Sequence, residues 1–388
     1  MKKLVLSLTA LSLLFTGCSE EDDETTTTNG PATGEITGDI TANKTYAFGN
    51  YSLKGIVRIK SGVTVTFDAG SKITANVADG VDALVVENGG KLIINGTAAE
   101  PVVFTESSQT PGSWGGIIMY GDAPIVGAGG VTTATSEDGL ALPYGGTNPT
   151  HNGGSLKYVR VEYAGKKITD GTSEMNGFSF YSVGSGTVLE NLVSYKGADD
   201  GYEFYGGTVS GKNLISYGNY DDSFDWQDGW RGQDNTNWYA YQVGTGNFGM
   251  EIESKSVNNS FWPKVTNITL KRAAGTLTEN GAAEYDAIQF KKEGNGDYSN
   301  ILIVGYTTDA NAVVCRIQDA STNTNQVNGS KIKLTDVKIV GTTPQTGAGS
   351  SAFTVTFPAG QYTTSTTATG ATLTNGAWST VNGASLIQ

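Results

Sequence analysis

The sequence predicts an all-β solenoid, and three observations predict it. The first is a repeat. Asn191-Leu192-Val193-Ser194-Tyr195 followed by Asp199-Asp200-Gly201-Tyr202-Glu203-Phe204 returns 22 positions later, without a gap, as Asn213-Leu214-Ile215-Ser216-Tyr217 and Asp221-Asp222-Ser223-Phe224-Asp225-Trp226. The second is periodicity: each segment is a short run of two-residue alternation, and beyond the N-terminal leader no stretch keeps a 3.6-residue period over helical length. The third is punctuation by Gly, Asn and Asp, with 53 glycines in 388 residues. A solenoid coil adds one rung to parallel sheets and cannot bury its own face alone, so it repeats. A β-sandwich does not account for a 22-residue echo that preserves residue identity.

Taken from the N-terminus, Met1-Lys2-Lys3 and the apolar Leu4 to Phe15 read as a secretory leader, residues 1–17, too short to span a bilayer stably. It ends in Phe15-Thr16-Gly17-Cys18, which resembles a bacterial lipobox with Cys18 as the lipidated residue. Several acyl chains on one cysteine give durable anchoring, since a single chain binds only marginally. Residues 18–35, with the acidic run Ser19 to Glu24 and the threonines that follow, read as a solvated tether. An acidic cluster just after a lipidated cysteine resembles the surface-export signal of Bacteroidota lipoproteins, which implies an outer-membrane, cell-surface address.

Residues 36–388 read as a single β-helix domain with loop insertions at 121–155 and 227–264. The strand "Asn-apolar-x-apolar" recurs at Asn267 and Asn300, and as Asp336-Val337-Lys338-Ile339. The second strand recurs as Asn176 to Phe180, Asp286 to Phe290 and Asn311 to Cys315. Residues before about Lys54 and after about Ser350 are expected to cover the two open ends, which expose sheet edges. Gly62-Val63-Thr64-Val65-Thr66-Phe67-Asp68-Ala69-Gly70-Ser71-Lys72-Ile73, Gly112-Ser113-Trp114-Gly115-Gly116-Ile117-Ile118 and the two Asp-Asp repeats resemble the right-handed parallel β-helix of the pectate-lyase-like superfamily. More narrowly they resemble a family of secreted and lipid-anchored Bacteroidota proteins. The resemblance covers most of residues 36–345 and implies the fold.

The repeat also assigns side-chain direction. With Tyr202 and Phe204 inward, so are Phe178/Phe180, Phe224/Trp226, Met250/Ile252, Ile288/Phe290 and Val313/Cys315, and the residues between face out. One outward column reads Gly177, Gly201, Ser223, Gly249, Ala287, Ala312. The other reads Ser179, Glu203, Asp225, Glu251, Gln289, Val314. Equivalent positions on adjacent strands stack about 4.8 Å apart, so Glu203, Asp225 and Glu251 form a line of like charges. Two such charges repel by roughly 3 kcal/mol at an effective dielectric near 20. A cation or a shared proton relieves this, and all-oxygen ligands suit Ca²⁺; a solvated acidic face with side chains fanned apart is the bland alternative. Asp199 and Asp221 either cap the turn or join these acids. Asn176, Asp200, Asp222, Asp286 and Asn311 read as a ladder that satisfies turn backbone groups, as do Asn191, Asn213, Asn267 and Asn300.

Insertion 227–264 carries Trp230, Arg231, Trp238, Tyr239 and Trp262. Exposed aromatics beside amides and carboxylates resemble a carbohydrate-binding surface; a private mini-core over the flank is the other reading. His151, in the 121–155 loop, reads as an ordinary surface residue, and Cys315 as a small buried apolar one.

Charge and composition exclude several functions. With 38 Asp+Glu against 25 Lys+Arg, a net charge of −13 and no basic run, the chain is a poor nucleic-acid binder. A single histidine argues against His-ligated zinc. The superfamily resemblance implies polysaccharide cleavage as one option, by Ca²⁺-assisted elimination or by hydrolysis with paired carboxylates. Glu203 and Asp225 would then be catalytic, with Arg231, Lys291, Lys292 or Arg316 as base. No lyase motif is matched, and the Gly-His-Gly element usual in hydrolases of this scaffold is absent. The leading expectation is therefore a lipid-anchored binder of glycan or another envelope component. An enzyme, or an accessory subunit docked on an outer-membrane protein through the small-residue column, are the alternatives.

Overall fold

Alternation in the repeat strands becomes a stack of parallel rungs. The computed structural model describes residues 30–78, 80–168, 174–256, 262–307 and 309–388. The leader, Cys18 and the acidic run 19–24 lie outside the described residues.

From Gly154 onward each coil contributes one short strand and one longer, bent strand; in the N-terminal coils the longer one is split, as in Thr64–Asp68 with Lys72–Ala75 and Lys91–Asn95 with Val102–Glu106. The short strands Phe178–Tyr181, Tyr202–Tyr205, Phe224–Gln227, Met250–Ile252, Ile288–Phe290 and Cys315–Ile317 pair parallel in succession and form one wall. The long strands Gly154–Glu162, Val188–Tyr195, Ser210–Tyr217, Asn235–Gln242, Lys264–Arg272, Gly296–Val304 and Ile332–Val340 pair likewise and form the rest of the circuit. This is a parallel β-helix, consistent with the right-handed form. The first strand, Ala32–Ile40, starts inside the segment read as tether and pairs with Gly49–Ile59 to close the N-terminal end.

The bend in each long strand has a local cause. Asn191, Asn213, Asn237, Asn267, Asn300 and Asp336 all have φ between 54° and 61°. Asn and Asp tolerate that left-handed conformation better than other side-chain-bearing residues. Their amides also form a ladder: Asn213 Nδ2 donates to Asn191 Oδ1 at 2.9 Å, Asn237 to Asn213 at 2.9 Å and Asn300 to Asn267 at 2.7 Å. The ladder expected from sequence is there, with Asn237 as an added member.

Inside, the assigned inward residues stack ring on ring. Phe178–Tyr202 centroids are 5.1 Å apart, Tyr202–Phe224 5.4 Å and Phe180–Phe204 5.1 Å. Offset stacking adds to area burial. Cys315 is buried in this core, as expected.

Four expectations are corrected. Segment 227–264 is not one loop, because Asn235–Gln242 and Met250–Ile252 are two further rungs. Consequently Trp230 and Trp238 are fully buried in the core, and Tyr239 is buried on the flank. The column Gly177, Gly201, Ser223, Gly249 faces inward: a Cβ on Gly177 would lie 2.2 Å from Ser194 Oγ, and one on Gly201 2.5 Å from Ser216 Oγ. The chain turns a corner here, which breaks simple alternation, so these residues offer no flat face to a partner. The last register slips by two, since Gln289 pairs with Arg316 rather than Val314, and Cys315 and Ile317 point inward. Asn311 and Ala312 thus leave their columns.

Residues after the Tyr362–Thr364 strand run back along the outer face of the bent wall instead of only covering the end. Asn300 Oδ1 accepts from Thr369 N at 2.9 Å, Asn237 Oδ1 from Thr372 N at 3.2 Å, and Arg160 Nη1 donates to Ala377 O at 3.0 Å. Trp378, Val381 and Leu386 pack there on Tyr163, Val193, Ile215 and Tyr239.

Candidate functional site

The site lies on the outer side of the short-strand wall, at the entry of its central strands. Register stacks Glu203 on Asp225 and Asp225 on Glu251, as the repeat predicts. These carboxylates do not stand free on a surface. Loops fold around them to make a pocket of about 350 Å³ lined by eleven carboxylates and three lysines.

The 121–155 segment brings one residue, Glu137, to the pocket. Its Tyr144 packs on Tyr181 and Tyr205, outward residues of the same strands, and Tyr144 OH donates to Asp228 at 2.5 Å. Tyr120 OH donates to Asp138, and Ser136 Oγ donates to the same carboxylate at 2.8 Å. These apolar and polar contacts hold Glu137 at the pocket rim. His151 is correspondingly buried, where the segment returns to the body against Gly184, and burial pushes its imidazole pKa down. The surface reading of His151 is thus corrected.

The acids differ in how they are held. Glu203 accepts from Gln227 Nε2 at 2.8 Å, from Asn176 Nδ2 at 2.7 Å and from Tyr205 OH. Burial, with Glu137 nearby, still raises its pKa to about 8. Glu251 is engaged by the Lys291 ammonium. Asp200 Oδ1 accepts from Asp222 N at 2.8 Å and Asp222 Oδ1 from Phe248 N at 2.6 Å, the ladder role expected of both. The second oxygen of each remains for the pocket.

Asp225 stands apart. Its side chain is in a residue 8% exposed, and Oδ1 is buried without a hydrogen-bond partner. Burial first, then Glu203 and Glu251, push its pKa well above the ordinary carboxylate range. A buried carboxylate without donors is costly unless a proton or a cation joins it. Asp200, Glu203 and Asp225 each offer an oxygen within 4.8 Å of the others, so these three, rather than the column with Glu251, form the tightest set around the orphan. An all-carboxylate donor set fits a hard divalent cation such as Ca²⁺.

Asp199 and Asp221 join the pocket as well, next to Glu174. Burial and its neighbours, Glu279 foremost, raise Asp221 to about 7. Sequence reasoning missed Glu137, Glu174 and Glu284, which reach the pocket from loops outside the repeat, and Glu253, which follows Ile252 at the position of Tyr205 and Gln227, and it read Asp200 and Asp222 only as ladder members.

The basic candidates are dispersed. Although burial alone would lower it, the Lys291 pKa is held above its ordinary value by Glu251 and Glu253. Arg316 pairs with Asp286, at 2.7 Å from Nε and 3.0 Å from Nη2. Arg231 does not line the acidic pocket. It borders a separate groove of about 640 Å³ with Trp262, Lys264 and Asp234, together with the hydroxyls of Thr208 and Ser210. Trp262 is 40% exposed, the only predicted ligand-binding aromatic with such exposure.

A family model described as a pectate-lyase-like β-helix domain matches residues 34–382. The chain belongs to that family. The match spans all the coils described above and both the acidic pocket and the Trp262 groove. No curated protein and no solved structure matches the chain. Membership of the pectate-lyase-like family points to carbohydrate as the relevant chemistry, while function itself rests on the site.

Proposed function

We propose that this pectate-lyase-like β-helix is a lipid-anchored envelope protein that binds glycan with the help of Ca²⁺ held in its acidic pocket. The carrying observation is Asp225 Oδ1, buried and without a hydrogen-bond partner among the described residues, beside Asp200 and Glu203. In this reading those three residues hold the ion, which supplies an electrophilic point for sugar oxygens, and Tyr205, Asn176 and Gln227 keep Glu203 oriented. The groove with an exposed Trp262 face and the polar groups of Arg231 and Asp234 supports the sugar part of the reading. The lipobox-like Phe15-Thr16-Gly17-Cys18 and the following acidic run support an outer-membrane anchor on Cys18 facing the exterior.

The test is retention of the protein on neutral and acidic glycans, with calcium and with chelator. Retention that needs calcium and disappears in Asp225→Asn is expected; retention indifferent to both overturns the reading. Metabolic labelling with a fatty acid, lost in Cys18→Ala, checks the anchor.

Adjacent Glu203 and Asp225 favour one second reading, glycan hydrolysis, because retaining enzymes place two carboxyls roughly 5 Å apart. Product formation abolished by Glu203→Gln or by Asp225→Asn would replace binding with turnover. Elimination is less supported, since a base must give up its proton and Lys291 is held protonated by Glu251 and Glu253.

A further inference from the structure

The chain has a single histidine, and it lines neither the acidic pocket nor the Trp262 groove. His151 lies where the 121–155 segment returns to the body, and only 5% of it is exposed. Glycines make the room for it. A Cβ on Gly121 would lie 2.6 Å from its Nδ1, one on Gly184 2.7 Å from its Cβ, and one on Gly153 3.5 Å from its Cε1. A side chain at Gly121 or Gly184 would push the ring out, so the cradle is shaped to this residue.

Inside the cradle the ring is held as neutral imidazole. Nδ1 accepts from Gly184 N at 3.4 Å, which leaves the ring proton on Nε2, and Nε2 is buried without a hydrogen-bond partner among the described residues. A second proton would sit on Nδ1 and face an N–H, because imidazolium has two donors and no acceptor. Two charged groups act on the ring. Asp122, at the outgoing end of the segment, favours the proton, and Lys91, on the strand that pairs with the start of Gly154–Glu162, disfavours it. The opposite side of the cradle, Ser182 to Thr187, carries no charge. Burial outweighs Asp122 and pushes the imidazole pKa down.

The leg of chain ahead of His151 docks on the same side. Pro149 O accepts from Ser185 N at 3.0 Å and from Ser185 Oγ at 3.1 Å, and His151 O accepts from Thr187 Oγ1 at 3.4 Å. The outgoing end of the segment is tied separately, by Gly121 N to Tyr181 O at 2.8 Å and Ala123 N to Ser182 O at 2.9 Å. Losing the histidine contact therefore frees the leg and not the whole segment. Pro149 and Ser185 both border the Trp262 groove.

We propose that His151 is a proton-operated latch: neutral, it seats residues 148–151 against 182–187, and protonated, it unseats them and opens the Pro149 side of the Trp262 groove. Detached, the ring takes a proton at its ordinary pKa of about 6.5; seated, it takes one only at lower pH. Seating is thus complete above the ordinary value and is lost as pH falls below it. At about pH 5 the seating equilibrium weakens by at most about 30-fold, the limit in which the seated ring takes no proton.

Hydrogen–deuterium exchange of the whole chain at about pH 7.5 and about pH 5, corrected for the intrinsic pH dependence of exchange, tests this on peptides covering 145–153 and 182–187. Protection of both is expected to fall several-fold in acid. In His151→Asn, whose Oδ1 accepts from Gly184 N without titrating, protection is expected to stay constant. The acidic pocket titrates over the same range and is unaltered in His151→Asn, so an equal fall in both chains overturns the latch. Equal protection at both pH values in the unaltered chain also overturns it. Should His151→Asn fail to fold, the lone imidazole still gives one Cε1 proton resonance that needs no assignment. A titration midpoint below about 6.5 supports the latch, and a midpoint at or above it overturns the latch.

Discussion

The outward column of the short-strand wall is built in two ways along its length. In its middle, Glu203, Asp225 and Glu251 follow one another, and Asp225 Oδ1 has no hydrogen-bond partner among the described residues. Farther on, the same positions hold Gln289 and Arg316, and Arg316 grips Asp286 through two hydrogen bonds. The strands are parallel and their inward faces equally apolar at both ends. The β-helix therefore tolerates neutral or paired residues in this column, and stacked acids are not a requirement of the fold. One end is closed electrostatically within the chain, and the other opens into a cavity that lacks matching positive charge.

Breaking the closed end carries the largest expected effect. Asp286→Ala strands Arg316 and should lower unfolding free energy by about 3 kcal/mol in urea titrations, equally with calcium and with chelator. A calcium-dependent loss would erase the distinction between the two ends.

The open end should show itself next in pH dependence. In chelator, the folded chain keeps protons on Asp199, Asp200, Asp222 and Asp225 that the unfolded chain has released, since all four pKa values are raised, burial being the largest cause. Glu203, raised to about 8, and Asp221, raised to about 7, add two more such carboxyls. The folded state then binds more protons above the ordinary carboxylate range, so stability falls as pH rises from about 4 to about 8, by on the order of 2 kcal/mol. Melts across that window should slope in chelator and flatten in calcium. A flat profile in chelator would mean that this end is compensated too.

Asp225→Asn sharpens the comparison from the other side. Removing one of the stacked charges should stabilise the cation-free chain by about 1 kcal/mol, well below the full Coulomb estimate because the acid is partly protonated. The same change should abolish the calcium-induced rise in melting temperature. A destabilised, still calcium-responsive variant would contradict both. Away from both ends, at the bend, Asn213→Ala should cost a similar amount, roughly 1 kcal/mol, for its φ of 58°, and Asn213→Gly, the smallest effect, only a few tenths, measured by chemical unfolding.

Much of this was legible in the chain. The 22-residue echo fixed the register of Glu203 over Asp225 and the inward aromatics, because one slip in either copy would turn every side chain over. It failed where local alternation is satisfied twice: Val313-Val314-Cys315-Arg316-Ile317 places apolar residues inward in either of two registers, and only the Asp286–Arg316 pair distinguishes them. Trp238 and Tyr239 carry two readings, a sugar-binding surface or a mini-core over the flank, and the "Asn-apolar-x-apolar" signature of Asn237-Trp238-Tyr239-Ala240, with Asn237 in the ladder, points to burial. The lining by Glu137, Glu174 and Glu284 was not legible, since it depends on how non-repeating loops fold over the wall.

The returning C-terminal segment changes how such a stack comes apart. Coils that touch only their neighbours can fray singly from an end. Here residues 369–388 join Asn300, then Asn237 and Tyr239 of one rung, then Arg160, so that three separated rungs are tied together. Losing the last windings would tear the fastening from the early ones, so the belted array is expected to melt as a block and to keep its cavity intact until it does.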